Sequence, residues 1–436
     1  MKIFLLTLSL VSISLASSLK PIENSLIVYN GGVGLVHEKA LLKLNKDDTE
    51  IIYKGVANTI NTDSVNINLP NNIKLYSQQY RYDKLTLYKL LDAHIDKNVY
   101  YKSKRVTLLS YSENNSLVKK KNGNIIQVKN QDISFKKIPS NLLTKPSLIW
   151  NISTQEKLET KIQLDYLINN ISWKSNYILY VDKSRANLSA YISVNNHSGK
   201  AYTDTELYVL AGNVNKVAQT RVKHRYDNVM TIAQSPQVVR KSHEGYHLYT
   251  IPFKVTLANN ETTSLKFIDI KNIKIKKNYV ANLQSPVEQR GLSEHIVSQF
   301  IEIKELNEVL PKGIIRVYSK YKNTNIFLGE SKINHTPKNT KLEIKVGENF
   351  DTKVKATLIK SSKSKYRYLA DITYEVTNKS DDAKEVKLHI PFSNINDSEV
   401  KSDQDFKFLN ANLVEFIVTV KANSTYTFNA NFIQKR

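Results

Sequence analysis

The stretch "LADITYEVTNKSDDAKEVKLHI", Leu369–Ile390, decides the fold class. Its first half places Ala370, Ile372, Tyr374 and Val376 on one face of an extended chain. Turn formers in "NKSDD" break the alternation, and "KEVKLHI" resumes it. A period of two interrupted by polar residues is the pattern of strand, turn and strand. The same order occurs in "ISVNNHSGKAYTDTELYV", Ile192–Val209, with Asn196 standing where the later stretch has Asn378. This echo predicts two Ig-like sandwich modules, one on each side of about residue 311.

Period two governs the rest of the chain. "LSAYISV" aligns Leu188, Ala190, Ile192 and Val194. "VEFIVTV" aligns Val414, Phe416, Val418 and Val420. After "KANS", "TYTFNANF" aligns Tyr426, Phe428, Ala430 and Phe432. The 25 tyrosines suit half-buried β surfaces. One segment has helical spacing: "YDKLTLYKLLDAHI" predicts a short helix around Asp83–His94, with Leu85, Tyr88 and Leu91, or Leu87, Leu90 and Leu91, on one face. The following stretch to Pro139 reads as four or five short strands, the size of a small SH3-like barrel.

The expected fold class is therefore mainly β: an N-terminal strand region, a small SH3-like barrel and Ig-like β-sandwich modules, with one short helix. "TKPS" near Lys145 and "LPKG" near Leu310 read as boundaries. The expected organisation is a signal peptide at 1–16, an N-terminal β region with the short helix at 17–95, a small β-barrel at 96–146, a β-sandwich-like domain at 147–310 and a C-terminal Ig-like β-sandwich at 311–436.

Compartment follows from the first residues. Lys2, the apolar run Ile3–Leu15 and the small-x-small pattern Ser14-Leu15-Ala16 make a secretory signal, with Ser17 as the expected mature N-terminus. The run is short of the roughly 20 residues a membrane span needs, and no later stretch is longer, so no transmembrane segment is expected after cleavage. The sequence has no Cys, so neither a disulfide nor an acylated Cys is available, and stability must come from buried apolar area. The expected location is outside the cytoplasm, first the periplasm, with the outer surface or the medium as alternatives.

The net charge is +23. A basic surface attracts polyanions, yet the lysines are scattered. The densest runs are Lys119–Lys121 and "KNIKIKK", Lys271–Lys277. The second alternates with Ile as the solvated face of a strand does. No basic helix and no Arg-aromatic cluster accompanies them, so no specific nucleic-acid partner is expected. Weak attraction to anionic envelope components is.

"KSHEGYH" contains His243-Glu244-Gly245-Tyr246-His247, which spells H-E-x-x-H. In zinc peptidases a helix brings residues i and i+4 to one face, with the Glu as base. Gly245 and Pro252 disfavour a helix here, and "YHLYTIPFKV" alternates like a strand. On one strand, residues four apart are roughly 13 Å apart, too far for ligands at about 2 Å from one ion. No metal or other cofactor is expected, and no catalytic residue is assigned. His197 and His335 lie in turns without neighbouring ligands. "YNGGVGLV", Tyr29–Val36, lacks the phosphate-loop pattern and reads as a tight turn or bulge between edge strands. Asp47-Asp48 and Asp381-Asp382 read as solvated turn carboxylates. Trp150 and Trp173 read as sandwich anchors; stacking platforms for a sugar are the alternative.

Several motifs together carry a resemblance. They are "ISWKSNYILYVD" (171–182), "SVNNHSGKAYTDTELYVLAGNVN" (193–215), "YHLYTIPFKVTLANNET" (246–262), "LPKGIIRVYSK" (310–320) and "LGESKINHTPKNTKLEIKVGENFD" (328–351). With "SLIVYNGGVGLVHEKALLKL" (25–44) and "QQYRYDKLTLYKLL" (78–91), they resemble the bacterial exported family built on domain of unknown function 4139, which includes mucoidy-inhibitor-A-like envelope proteins. The chain looks like a shorter form without the coiled-coil insert of some relatives. The resemblance implies an exported β protein with a role in envelope or exopolysaccharide homeostasis, and it implies no catalytic residues. The functional expectation is a non-catalytic envelope protein contacting an unidentified envelope protein or glycan through β surfaces. The alternatives are an envelope hydrolase whose site is assembled from residues distant in sequence, and a diffuse polyanion-binding surface protein. Oligomeric state is not readable from the sequence.

Overall fold

The computed structural model describes residues 17–139, 142–211, 240–243, 246–391 and 398–435. They are mainly β. The chain opens with β1 (Ser17–Tyr29), β2 (Val33–Leu44), β3 (Glu50–Lys54), β4 (Asn66–Asn68) and β5 (Lys74–Arg81). Helix α1 (Leu87–Asp92) leads into β6 (Asn98–Tyr101), β7 (Lys104–Tyr111), β8 (Asn115–Lys119), β9 (Ile125–Lys129) and β10 (Ile133–Ser134). Then come β11 (Ser147–Ser153), β12 (Leu158–Asn169), β13 (Ile171–Asp182), β14 (Arg185–Asn196), β15 (Tyr202–Ala211), β16 (Arg240–His243), β17 (Tyr246–Thr250) and β18 (Val255–Leu257). The remainder is β19 (Glu261–Asn282), β20 (Leu292–Ile303), β21 (Gly313–Tyr321), β22 (Thr324–Ile333), β23 (Leu342–Lys363), β24 (Arg367–Asn378), β25 (Lys384–Pro391), β26 (Ser398–Ser402), β27 (Phe406–Asn410), β28 (Leu413–Val420) and β29 (Ser424–Lys435).

Two compact units form. Unit one takes the described residues of 1–173, 194–216 and 241–263; unit two takes those of 174–193, 217–240 and 264–436. In unit one the sheet runs β16-β17-β15-β1-β2-β12-β4, with β3, β5, β11 and β18 off this path. β1 and β2 are central strands, not edge strands, and Tyr29–Val36 supplies the tight turn between them, with Gly32 at φ +78°. Side chains alternate as the sequence demands: Val36, Ala40 and Leu42 of β2 are buried, and the residues between them face outward apart from Glu38.

β6–β10 form their own antiparallel sheet in the order β10-β6-β7-β8-β9. Its core contains Val99, Val106, Leu108, Val118 and Leu91 of α1. The helix is shorter than the sequence predicts, and it packs with the small sheet instead of ending the N-terminal β region. Thr86 caps it by accepting from the Lys89 amide. The insert leaves and rejoins unit one at one clasp. The Asp83 amide donates to Leu143 O (2.8 Å) and the Leu143 amide donates to Asp83 Oδ2 (2.9 Å).

Unit two has two cores. Ile273, Ile275, Ile301, Ile303, Ile344 and Val346 belong to one. Ala281, Val297, Val354, Ala356, Tyr374 and Phe428 belong to the other. Strands β19, β20 and β23 run through both, so no loop separates them. This is why the turn chemistry at Leu310 does not divide the chain into two contiguous sandwiches. Gly313 of "LPKG" is the first residue of β21, which pairs in parallel with β13. A Cβ at 313 would lie 2.4 Å from Ser175 O, so glycine is needed for close strand approach and not for a linker. Gly329 does the same where β22 meets β23: at φ +154°, an added Cβ would lie 1.9 Å from Val346 O.

The internal echo is a repeated strand path. β15 pairs in parallel with β1 and antiparallel with β18; β25 pairs in parallel with β19 and antiparallel with β28. Each path turns at the Asn-x-Ser corner. Asn196 Nδ2 donates to Lys200 O (2.9 Å), Leu257 O (3.3 Å) and Ala258 O (3.1 Å), while its Oδ1 accepts from the Ser198 amide (3.1 Å) and hydroxyl (2.7 Å). Asn378 Nδ2 donates to Asp382 O (2.8 Å), Val420 O (3.3 Å) and Lys421 O (3.1 Å), and its Oδ1 accepts from the Ser380 amide (3.1 Å) and hydroxyl (2.7 Å).

Candidate functional site

The described residues of the H-E-x-x-H stretch are strand, not helix. His243 ends β16, and Tyr246 and His247 open β17; Glu244 and Gly245 lie outside the described residues. Both histidines of the motif thus lie in strands, where the helical i, i+4 argument for a shared zinc ion does not apply. Among the described residues no group of three or more His, Asp or Glu side chains could hold a metal ion. Both tryptophans are buried, which removes them as sugar platforms. Trp150 Nε1 donates to Gln78 Oε1 (2.7 Å), and Trp173 Nε1 donates to Leu210 O (3.1 Å) beside the Tyr249 ring. His335 Nδ1 accepts from the Lys312 amide (3.3 Å), a loop-bracing role, and His197 contacts Asn260 Oδ1 (3.2 Å). Asp48 is buried and accepts from the Asn45 amide (2.8 Å), so it braces its turn and is not solvated. In the lysine-rich strand the reading by periodicity is met: Ile273 and Ile275 are buried, while Lys274 and Lys276 are exposed.

Strand β2 organises the polar chemistry of unit one on both its faces. Inward, Glu38 is only 2% exposed. Lys200 Nζ donates to its Oε1 (2.6 Å), and the hydroxyls of Tyr53 (2.6 Å) and Tyr166 (3.3 Å) donate to its Oε2. Burial first, and then the charge of Glu38, hold the Tyr53 and Tyr166 phenols well above their ordinary range. They are neutral donors here, and the carboxylate is fully engaged. Sequence reasoning missed this cluster, because Glu38 and Lys200 read as surface charges until the fold brings Tyr53 and Tyr166 to them.

Outward, β2 presents His37 and Lys39. Register places Ser25 of β1, His37, Asp165 of β12 and Asn66 of β4 on one cross-strand row. The next row holds Glu23, Lys39, Gln163 and Asn68. His37 Nδ1 lies 2.6 Å from Asp165 Oδ1, and Lys39 Nζ donates to Glu23 Oε2 (2.8 Å). That pairing raises the Lys39 ammonium and lowers the Glu23 carboxyl from their usual ranges. The loop after β4 rises beside the second row. Together they enclose a groove of about 570 Å³, lined by Lys39, Asn68, Asn71, Lys161 and Gln163 with Pro70 as a wall.

The row Ser25–His37–Asp165 has the residue types of a nucleophilic triad drawn from distant parts of the chain. Its geometry does not complete one. No hydrogen bond joins Ser25 to His37. β1 is flanked at Ser25 by β2 and β15, so its backbone amides are committed to the sheet and cannot serve as oxyanion donors. What the groove can do is bind. Its carboxamides and two ammonium groups suit hydroxyls and carboxylates of a polar chain, and the His37–Asp165 pair lies in the neighbouring row outside it.

Unit two has a second concavity, of about 580 Å³, lined by Lys271, Lys274, Lys276 and Lys304 with Glu302 and Glu305. Of its charged groups, Glu302 pairs with Lys341 (3.0 Å), Lys276 with Glu385 (2.9 Å) and Lys271 with Asp269 (3.2 Å). Outside the concavity Glu415 is buried, taking His389 Nε2 on one oxygen (2.9 Å) and Lys407 Nζ on the other (3.0 Å). Burial pushes the Glu415 carboxyl up, but these two partners outweigh it and hold it below its ordinary value.

No family model matches the chain, and no curated protein matches it. The family resemblance rests on its ordered motifs.

Proposed function

We propose that this protein is an exported, non-catalytic envelope protein that holds a glycan through its β surfaces, in keeping with the envelope family its motifs resemble. The signal-like start supports export. The groove over β2, β12 and β4 is the observation that carries the reading. Its floor is built from side chains that hydrogen-bond hydroxyls, and it has no activated nucleophile. A hydrolase is less well supported, because among the described residues no imidazole or carboxylate lines the groove and the His37–Asp165 pair in the neighbouring row has no hydroxyl bonded to it.

The test is calorimetric titration of the mature chain, beginning at Ser17, with polygalacturonate oligomers, chitin oligomers and dextran. Binding of at least one is expected, weakened about tenfold, or ~1.4 kcal/mol, by Asn68→Ala with Lys161→Ala. Hydrolysis of any of these glycans, or no binding to all three, would sink the reading.

A further inference from the structure

We infer a second glycan contact in unit two: the aromatic row Tyr180–Tyr318–Phe327 is a stacking platform for an acidic polysaccharide. The inference deepens the glycan-binding reading and rests on it. Tyr180 of β13 is in register with Tyr318 of β21, and Tyr318 with Phe327 of β22. Their ring centroids are 5.5 and 5.4 Å apart, so the three rings form one continuous strip across three strands. The strip is open to solvent, with Tyr180 39% and Phe327 52% exposed. An exposed aromatic strip on a folded sheet marks a contact site, because each ring could otherwise bury its area.

The neighbouring rows identify the occupant. On one side the register continues with Arg316 paired to Glu330 (3.2 Å), and beyond it lies exposed Lys332. On the other side Lys320 stands opposite Asn325, both exposed. An apolar strip between two hydrogen-bonding rows fits a pyranose: the rings meet its C–H face and the rows meet its hydroxyls. Arg316, Lys320 and Lys332 against the carboxylates of Glu330 and of Asp182, which follows Val181 on β13 beside Lys320, leave the surround basic by one charge, so the sugar should carry carboxylates. A second copy of this chain would bring the same basic surround to itself, which argues against self-association. The sequence concealed the platform, because Tyr180 and Tyr318 read as ordinary strand residues until the parallel pairing of β13 with β21 is known.

The experiment compares Tyr180→Ala, Phe327→Ala and Tyr318→Phe with the groove variant Asn68→Ala/Lys161→Ala. Polygalacturonate, dextran and a single-stranded DNA oligomer are the probes, and melting temperature is the fold control. Tyr180→Ala and Phe327→Ala should each weaken polygalacturonate binding about tenfold, ~1.4 kcal/mol, with melting unchanged. Tyr318→Phe, which keeps the ring, should bind like the parent. Dextran and DNA should bind at least tenfold more weakly than polygalacturonate. If polygalacturonate binds and only the groove variant weakens it, the platform is wrong while the glycan reading stands. If no probe binds, both fall. Equal binding of DNA, or a dimer in solution that Phe327→Ala dissolves, would also overturn the platform.

Discussion

The corners at Asn196 and Asn378 share one backbone device and differ in what they bury beside it. At the first corner Lys200 is neutralised by Glu38, with two phenols completing the nest. At the second, Lys384 is buried without an ion pair. Its ammonium donates to Asn349 Oδ1 (3.1 Å) and Thr352 Oγ1 (3.3 Å) and lies 5.1 Å from the centre of the Tyr279 ring. Burial lowers its affinity for the proton, while Asp351 and Asp382 act the other way. The comparison separates what the turn requires, an Asn in a carbonyl cage, from what each copy has elaborated around it.

The largest effect should come from unpairing the first corner. Glu38→Ala leaves the Lys200 ammonium nearly buried and uncompensated, a loss of about 3–5 kcal/mol. Lys384→Met removes a cation that has no carboxylate to strand, and Met keeps contact with the Tyr279 ring. Its cost should stay under about 1 kcal/mol. Denaturant midpoints of the two variants measure the contrast. Equal losses would show that the buried amines do the same job in both copies.

The Asn cages should be equivalent. Asn196→Ala and Asn378→Ala each unpair the same set of three carbonyls and a Ser. Each buried group left unmade costs about 1–3 kcal/mol, and turn carbonyls near the surface recover water. Each variant should therefore lose about 2–3 kcal/mol. Thermal melts that differ widely between the two would mean that only one corner holds its module together.

Much of this was legible because both corners use local chemistry. The alternation in "LADITYEV" and the Asn-x-Ser turns are short-range signals, and the fold honours them. The boundary near residue 311 misled, because β19 and β23 are 22 residues each and pass through both cores without a break. Strand length beyond a single core leaves no turn residue to mark it. Asn272 shows how β19 does this. At φ +60° it shifts the buried phase from Ile268 to Ile273, a bulge inside what reads as a simple Lys/Ile alternation. The groove was illegible for a different reason. Its rows join residues from β1, β2, β12 and β4, and only strand register says which polar side chain stands beside which.

The third prediction concerns a close approach that belongs to unit two alone. Gly329→Ala drives a Cβ into Val346 O at a φ that side chains rarely adopt. Overpacking of this kind costs about 1–3 kcal/mol. The damage should stay at the contact of β22 with β23, read as faster hydrogen exchange in 324–333 and 342–346. An unchanged exchange pattern would mean that β22 does not close against β23 in solution.

The smallest effect tests what the first repeat carries and the second does not, the small inserted sheet. Asp83 joins its two ends. The Leu143 amide, foremost, and then Lys89 and Arg81 (each 3.0 Å from a carboxylate oxygen) hold its carboxyl at about 2, against the upward push of burial. A depressed folded-state value means that the clasp stabilises above the unfolded carboxyl range, near ~3.9, and that this is lost as pH falls through about 2. Between those limits exchange in 98–134 should rise in the parent protein. Asp83→Asn cannot titrate, so its exchange should start higher and stay flat over the same interval once intrinsic rates are divided out. A parent profile that is equally flat would show that the clasp is not what fixes the insert, and that the small sheet stays in place through its own core.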